Sequence, residues 1–339
     1  DVVVSSRVRL ARNVADTAFP EQLSANDADH ILAASADILR RCDIDGNVLE
    51  VRSLTPAASE FVLERNLASK ELLNAERPTM LFYGVNGVHS VMVNEEDHFR
   101  FQGLAKGLDL DAALRRSQKC EKILSQAHSY ATHDDYGYLT SCPTNTGSGM
   151  RASIMLHLPA LARAKAPLQR SLQAARSAGL AVRGVHGEGS RAIGNLYQIS
   201  NQRTLGTTSA AQLLAVANFG HEVASYERTV RQQYSEDTRA RVALTVDIKQ
   251  TLKNIRERQQ LTTSDALSYL SVLHLGITSE VCQEVGFSIN HHRLLQLSFA
   301  VQPGHLQMAV GSSMTAEERD KARADRMRLE LGFCDGRGA

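Results

Sequence analysis

Arg7 and Arg9 stand two apart in "SSRVRLARN". On a β-strand, residues i and i+2 share a face. Two guanidiniums there repel one another unless an anion sits between them. "NEEDHFRFQG" gathers Glu95, Glu96 and Asp97 beside His98, with Arg100 just behind. Crowded carboxylates raise one another's proton affinity and a nearby cation lowers it, which is a setting for acid–base work. "CPTNTGSGMR" runs from Cys142 to Arg151, a small polar loop with a thiol at one end and a cation at the other. A neighbouring cation and free backbone N–H groups favour thiolate. "RGVHGEGSRAIGN" sets Arg183 and Glu188 among Gly184, Gly187 and Gly189, and glycines let the backbone approach a ligand closely. Each segment alone has a plainer reading: a solvated edge strand, an acidic turn, a buried inert cysteine, a hairpin loop.

Together they supply five arginines (Arg7, Arg9, Arg100, Arg151, Arg183), two candidate bases (Glu96, Glu188) and one thiol, Cys142. The chain has no Walker A pattern and no protein-kinase Gly-rich loop, HRD or DFG set. Any nucleotide phosphates must therefore be held by arginines, whose planar forks bind phosphate oxygens two at a time and stay charged.

These residues need a scaffold. The chain of 339 residues is 43% hydrophobic, enough for one large or two medium domains. Lys+Arg 38 against Asp+Glu 37 leaves a net charge of +1, which argues against nucleic acid or a membrane surface as a bulk partner. Five cysteines are dispersed without CxxC spacing, so neither a disulfide framework nor a zinc site is expected, no metal ligands are assigned, and a reduced, cytoplasmic setting is. No apolar run reaches membrane-spanning length and no signal-peptide pattern opens the chain; its start on a strand-like run leaves room for a missing leading segment. "TMLFYGV" and "HSVMVN" around Asn86-Gly87 predict a hairpin. "RASIMLHLPALARA" reads as a helix start or buried segment checked at Pro159, and "LAVRGVHGEG" with "LYQISNQ" as a strand pair. After about Gly220 the strand signals thin and charged helical runs follow. "SDALSYLSVLHLG" predicts a helix capped by Ser264 and stopped at Gly276, and "TAEERDKARADRMRLELG" carries a Thr315–Glu318 capping box and ends at Gly332. The expectation is an α+β fold, an antiparallel sheet flanked by helices over 1–228, followed by a helical domain over 229–339.

In order, "SSRVR", "NEEDHFR", "CPTNTGSGMRAS", "RGVHGEG" and "ISNQRTLG" resemble the ATP:guanido phosphotransferases, or phosphagen kinases. The resemblance implies their catalytic core, with a glutamine-synthetase-like sheet, and Mg²⁺ and ATP as cofactors. It implies that the five arginines grip ATP phosphates and that Glu96, Glu188 and Cys142 meet the guanidinium, Glu96 as base and Glu188 orienting. Nucleotide contacts carried over with the motifs are Ser5, Ser6, Arg7, Val8 and Arg9; Arg100; Arg151, Ala152, Ser153, Ile154 and Met155; and Arg183, Gly184, Val185, His186 and Gly187.

Family members acting on free arginine or creatine carry a helical domain before the "S-x-R-x-R" strand, which here begins at Ser5. The layout is similar to that of the bacterial protein arginine kinases, which phosphorylate arginine side chains of proteins and mark them for Clp-dependent degradation. "RDKARA" matches their RDxxRA phosphoarginine-binding motif, implying an allosteric site at Arg319, Asp320, Arg323 and Ala324, with Arg319 and Arg323 at i and i+4 on one helical face. Two departures stand out: Asn66, where the family often has a nucleotide-contacting histidine, and Arg191, where an acidic residue is common. The resemblance further implies substrate proteins presenting arginine (a stress-gene repressor among them), a zinc-binding activator, the Clp ATPase and protease, and a dimer or larger assembly. Two other readings stay open: a kinase of a free guanidino compound, and a non-catalytic phosphoarginine-binding protein.

Overall fold

The computed structural model describes residues 1–184 and 192–333. Its strands are β1 (Val3–Arg12), β2 (Gly46–Glu50), β3 (Met80–Gly84), β4 (His89–Val93), β5 (Phe99–Lys106), β6 (Thr132–His133), β7 (Gly137–Tyr138), β8 (Met150–His157), β9 (Leu180–Gly184) and β10 (Leu196–Asn201). The helices are α1 (Ala25–Arg41), α2 (Pro56–Glu64), α3 (Lys70–Leu73), α4 (Leu110–Leu124), α5 (Pro159–Ala164), α6 (Ala166–Ser177), α7 (Ser209–Glu236), α8 (Thr238–Glu257), α9 (Thr263–Thr278), α10 (His291–Ala300), α11 (Pro303–Val310) and α12 (Ala316–Glu330).

Among the described residues, eight strands form one antiparallel sheet in the order β2-β3-β4-β5-β1-β8-β10-β9. The pleat sorts its side chains. Val8 and Leu10 of β1, Phe99 and Phe101 of β5, and Ala152 and Ile154 of β8 are buried in the main core. Helix α4 covers that side, burying Leu110, Ala113, Ser117, Cys120 and Leu124 at helical spacing. Its N-terminus is capped by Asp109, whose side chain accepts from Ala112 N. Helix α7 packs beside it on β8 and β10. On the other face, Leu81 and Met92 join Val62, Leu67 and Leu72 in a small second core under α2 and α3. Beyond that cover, the same face of β5, β1, β8 and β9 carries the arginines.

The expected hairpin is β3 and β4, and the expected strand pair is β9 and β10. The stretch from Met150 is a strand rather than a helix start. It is paired on both edges, by β1 and β10, so both of its faces carry information and the helical reading fails. Pro159 begins a helix instead of checking one; its missing N–H costs nothing at a first helical position. Helix α9 is capped by Thr262 rather than Ser264, and it runs through Gly276 to Thr278. Gly276 serves packing: a Cβ there would lie 2.5 Å from Ile248 and 2.6 Å from Cys282. The Thr315–Glu318 capping box forms as expected. Residue 228 lies inside α7, so no break in the chain marks the expected boundary. Helices α8, α9, α10 and α12 pack through a core continuous with that of the sheet, and α11 lies across α2, where Glu64 accepts from Gly304 N and His305 N.

Burial of neutral histidines makes this fold acid-sensitive. Burial pushes His98 down to about 4 and His157 down to about 3. His98 Nδ1 accepts from Val14 N at 3.1 Å, a bond that a protonated ring cannot accept. The unfolded chain takes up these protons near the ordinary value of about 6.5, while the folded chain does not. The contribution to stability is therefore full above that pH and is lost as pH falls toward the folded values, by up to about 1.4 kcal/mol per pH unit per group. Thermal melts from pH 7 to 4.5 should show a steep fall in Tm, flattened in His157→Gln; an unchanged slope in that variant would contradict the assignment.

Candidate active site

Strand register builds the site. Arg9 on β1 lies opposite Gln102 of β5 on one side and Arg151 of β8 on the other. Arg100 is two residues from Gln102, and Arg183 of β9 reaches the same face through Gln198 and Met155. A cavity of about 490 Å³ opens over this surface, lined by Arg9, Arg100, Arg151, Arg183, Glu96 and Cys142. Thr144, Asn145 and Gln202 also line it. Three distant segments singled out in the sequence thus meet with the described part of the fourth.

The cavity brings several buried cations together. Burial, then Arg7, Arg100 and Arg151, hold Arg9 well below the usual guanidinium range. Arg151 is lowered by burial and by Arg183 and Arg100, against the opposing pull of Cys142 and Glu96. The Nε atoms of Arg9 and Arg151 are buried without a hydrogen-bond partner. Neither side chain forms a salt bridge among the described residues. Arg100 differs: it donates to Glu95 at 2.6 Å and to Glu96 at 2.7 Å. Burial raises Glu96, with Asp97 and Glu95 adding to the rise and Arg100 opposing it. Burial thus raises the proton affinity of Glu96 while Arg100 stays bonded to it.

The loop from Cys142 to Arg151 is fixed from outside. Thr204 Oγ1 lies 2.8 Å from the carbonyls of both Thr144 and Thr146. Gly147 has φ +111, and a Cβ there would lie 2.4 Å from Thr204 O, so only glycine fits. Cys142 Sγ lies 3.0 Å from Thr144 Oγ1. The buried thiols of Cys120 and Cys282 are pushed up to about 12 by burial, which leaves them inert.

Some expected residues stand elsewhere. Ser6, Val8, Ala152 and Ile154 point to the helix-covered face, because alternation turns every second residue away; their side chains cannot meet a ligand in the cavity. Arg7 shares the arginine face but sits outside the cavity. It is pushed down to about 10 by burial and by Arg100, and its Nη1 donates to Asn66 Oδ1 at 3.1 Å. Ser5, Ser153 and Met155 line a small neighbouring recess with it. Asn66, in the left-handed region at φ 55, therefore braces an arginine from outside the cavity. Gly184 ends β9. Glu188, Val185, His186, Gly187 and Arg191 lie outside the described residues.

At the C-terminal motif, Arg323 is 1% exposed. It donates to Val301 O and Leu261 O, both at 2.7 Å, and to Asp320. Ala324 is buried too. The two arginines of the motif differ: Arg319 and Asp320 are half-buried and reach the surface, while Arg323 ties α12 to the segments before α9 and after α10.

Residues 30–230 match the family model for the ATP:guanido phosphotransferase C-terminal catalytic domain. The chain belongs to the ATP:guanido phosphotransferases. Residues 241–338 match the model for the protein-arginine kinase McsB C-terminal domain. The chain is 32% identical over 339 residues to a protein-arginine kinase of Caldanaerobacter subterraneus subsp. tengcongensis, covering 98% of this chain and 97% of that one. It is 34% identical over 335 residues to a protein-arginine kinase of Brevibacillus brevis, covering 98% and 92%. Among solved structures, a lombricine kinase superposes with TM-score 0.58 at 19% identity, over 68% of this chain and 67% of that one. The duplicated taurocyamine kinase of Schistosoma mansoni superposes with TM-score 0.59 at 24% identity, over 70% and 34%. These two show that the guanido phosphotransferase fold is shared. No helix among the described residues is long and apolar enough to cross a membrane.

Sequence reasoning grouped Glu95 with Glu96 and Asp97 without giving it a role of its own, and it passed over Gln202, although that residue lies inside a quoted motif. Glu95 accepts from Arg100 and from Ser69, and no spacing rule separates its role from that of Glu96. Only the fold shows that one carboxylate is fully buried and the other opens on the cavity.

Proposed function

We propose that the chain is a protein arginine kinase, transferring the γ-phosphoryl group of ATP to arginine side chains of proteins. One observation carries this reading: Glu96 and Cys142 share a cavity with Arg9, Arg100, Arg151 and Arg183. The arginines suit the phosphate chain, and unpaired Arg9 Nε and Arg151 Nε are donors awaiting oxygen. Glu96 and the sulfur of Cys142 suit a guanidinium. A guanidinium nitrogen is a poor nucleophile because its lone pairs are delocalised. Glu96 aligns it and takes its proton as the N–P bond forms and the bond from phosphorus to the ADP oxygen breaks. Arg9, Arg151 and Arg183 neutralise charge on the transferring oxygens. Glu188 is assigned to orient the guanidinium.

No cluster of three His, Cys, Asp or Glu that could hold a metal occurs among the described residues. Mg²⁺ would enter this site with the nucleotide and would neutralise phosphate charge beside Arg9, Arg151 and Arg183. Residues 1–228 are assigned as the catalytic domain and 229–339 as the helical domain, with Arg319 and Asp320 as the exposed part of a phosphoarginine site. The same reading makes the protein a cytoplasmic dimer or larger assembly, acting with a zinc-binding activator on proteins such as a stress-gene repressor and handing them to the Clp protease.

The test is incubation with Mg·ATP and casein, and separately with free arginine. Acid-labile phosphate on casein arginines is expected. Rapid turnover of free arginine without protein phosphate would favour a kinase of a small guanidino compound, and ATP binding with no transfer a phosphoarginine-binding protein.

A further inference from the structure

The Glu96 turn and the Cys142 loop come from segments far apart in sequence, yet they face one cavity. A single carboxylate joins them. Asp97 is fully buried. Its Oδ1 accepts from Ser141 N at 2.7 Å and from Asn13 Nδ2 at 2.7 Å. Asn13 in turn accepts from His98 N at 2.9 Å and donates to Leu139 O at 3.2 Å. The end of β1, the turn that carries Glu96 and the strand that enters the Cys142 loop therefore meet at one oxygen atom. Thr140, one residue before Ser141, donates to Cys142 O at 2.8 Å, which extends the tie to the thiol-bearing residue.

The arrangement is costly. Asp97 Oδ2 and Ser141 Oγ are both buried without partners. A buried carboxylate with an unpaired oxygen is expensive, and a neutral side chain would serve packing better. The charge has one evident target: Asp97 is among the groups that raise Glu96.

We propose that Asp97 is a positioning residue, which fixes the Glu96 turn against the Cys142 loop through Oδ1 and acts on Glu96 through its charge. This rests on the reading of Glu96 as base. Asp97 touches neither the substrate nor the cavity.

Two substitutions separate the parts. Asp97→Ala removes the tie. A misplacement of about 1 Å costs about a hundredfold in rate, so kcat/KM for an arginine-bearing protein should fall by about ten- to a hundredfold while ADP affinity, measured by titration, stays within about twofold. Asp97→Asn keeps an acceptor for both N–H groups. It should recover most of the rate, and the acid limb of its kcat/KM profile should move to lower pH, because a negative neighbour of Glu96 is gone. Equal losses in both variants with an unmoved acid limb, or a lowered Tm with unchanged kinetics, would overturn the proposal. If Asp97→Ala does not fold, the acid limb of Asp97→Asn decides alone. Glu96→Gln is measured beside them. Full transfer in that variant would remove the underlying reading; a dead Glu96→Gln with an unmoved Asp97→Asn limb overturns only the role of Asp97.

Discussion

Glu96→Gln is expected to lower phosphoryl transfer by about 10²–10⁴-fold, the usual worth of a positioned general base, while ADP binds as before. The glutamine keeps the size of the side chain and an acceptor for Arg100, whose Nη2 now donates to Glu96 Oε2 at 2.7 Å. It cannot take a proton from the guanidinium. Arg100 keeps its second carboxylate, Glu95, at 2.6 Å, so the turn should hold its shape. The wild-type pH profile gives a second signature. Burial raises Glu96 above the ordinary glutamate value, so the acid limb of kcat/KM should lie above about 4.3. Steady-state assays across pH measure both. Transfer within about threefold of wild type would contradict the role of base.

Arg9→Met is expected to make the empty protein more stable and to weaken its binding of nucleotide strongly. Arg9 is held among Arg7, Arg100 and Arg151 on one sheet face, and its charge is opposed by burial and by all three. Its Nε has no partner. Methionine keeps most of the stem and removes the charge. The Tm without ligand should therefore rise, an instance of stability given up for function. Truncating one side of a buried charged contact costs about 2–5 kcal/mol, so ADP should bind at least about thirtyfold more weakly. In the wild type, ADP at about a hundred times its Kd should add about 2.7 kcal/mol of stability, and at the same concentration this increment should fall to about 0.9 kcal/mol or less in the variant. A lower Tm in the empty variant would show that Arg9 serves the fold rather than the ligand.

Much of the site was legible because it follows period-two alternation. Arg7 and Arg9 share a face as their spacing requires, and Glu96 pairs with Arg100. The same rule, applied residue by residue rather than to whole motifs, would have excluded Ser6, Val8, Ala152 and Ile154. The stretch from Met150 misled because a strand paired on both edges carries an apolar run with no clear period. Which of two adjacent glutamates opens on the cavity depends on Arg77 and Ser69, which hold Glu95 from below; those contacts exist only in three dimensions. Arg319 and Arg323 do share one side of α12, but the burial of Arg323 against the segments before α9 and after α10 depends on tertiary packing that charge spacing does not encode.

The central claim is that one cavity has two ends with separate duties, anionic phosphate at the arginines and cationic guanidinium at Glu96 and Cys142. Calorimetric titration of ADP into Glu96→Gln and into Arg9→Met tests it most directly. The account predicts near wild-type affinity in Glu96→Gln, where transfer is lost, and loss of affinity in Arg9→Met. Equal loss of ADP binding in both variants, or ADP bound by Arg9→Met as tightly as by the wild type, would contradict it.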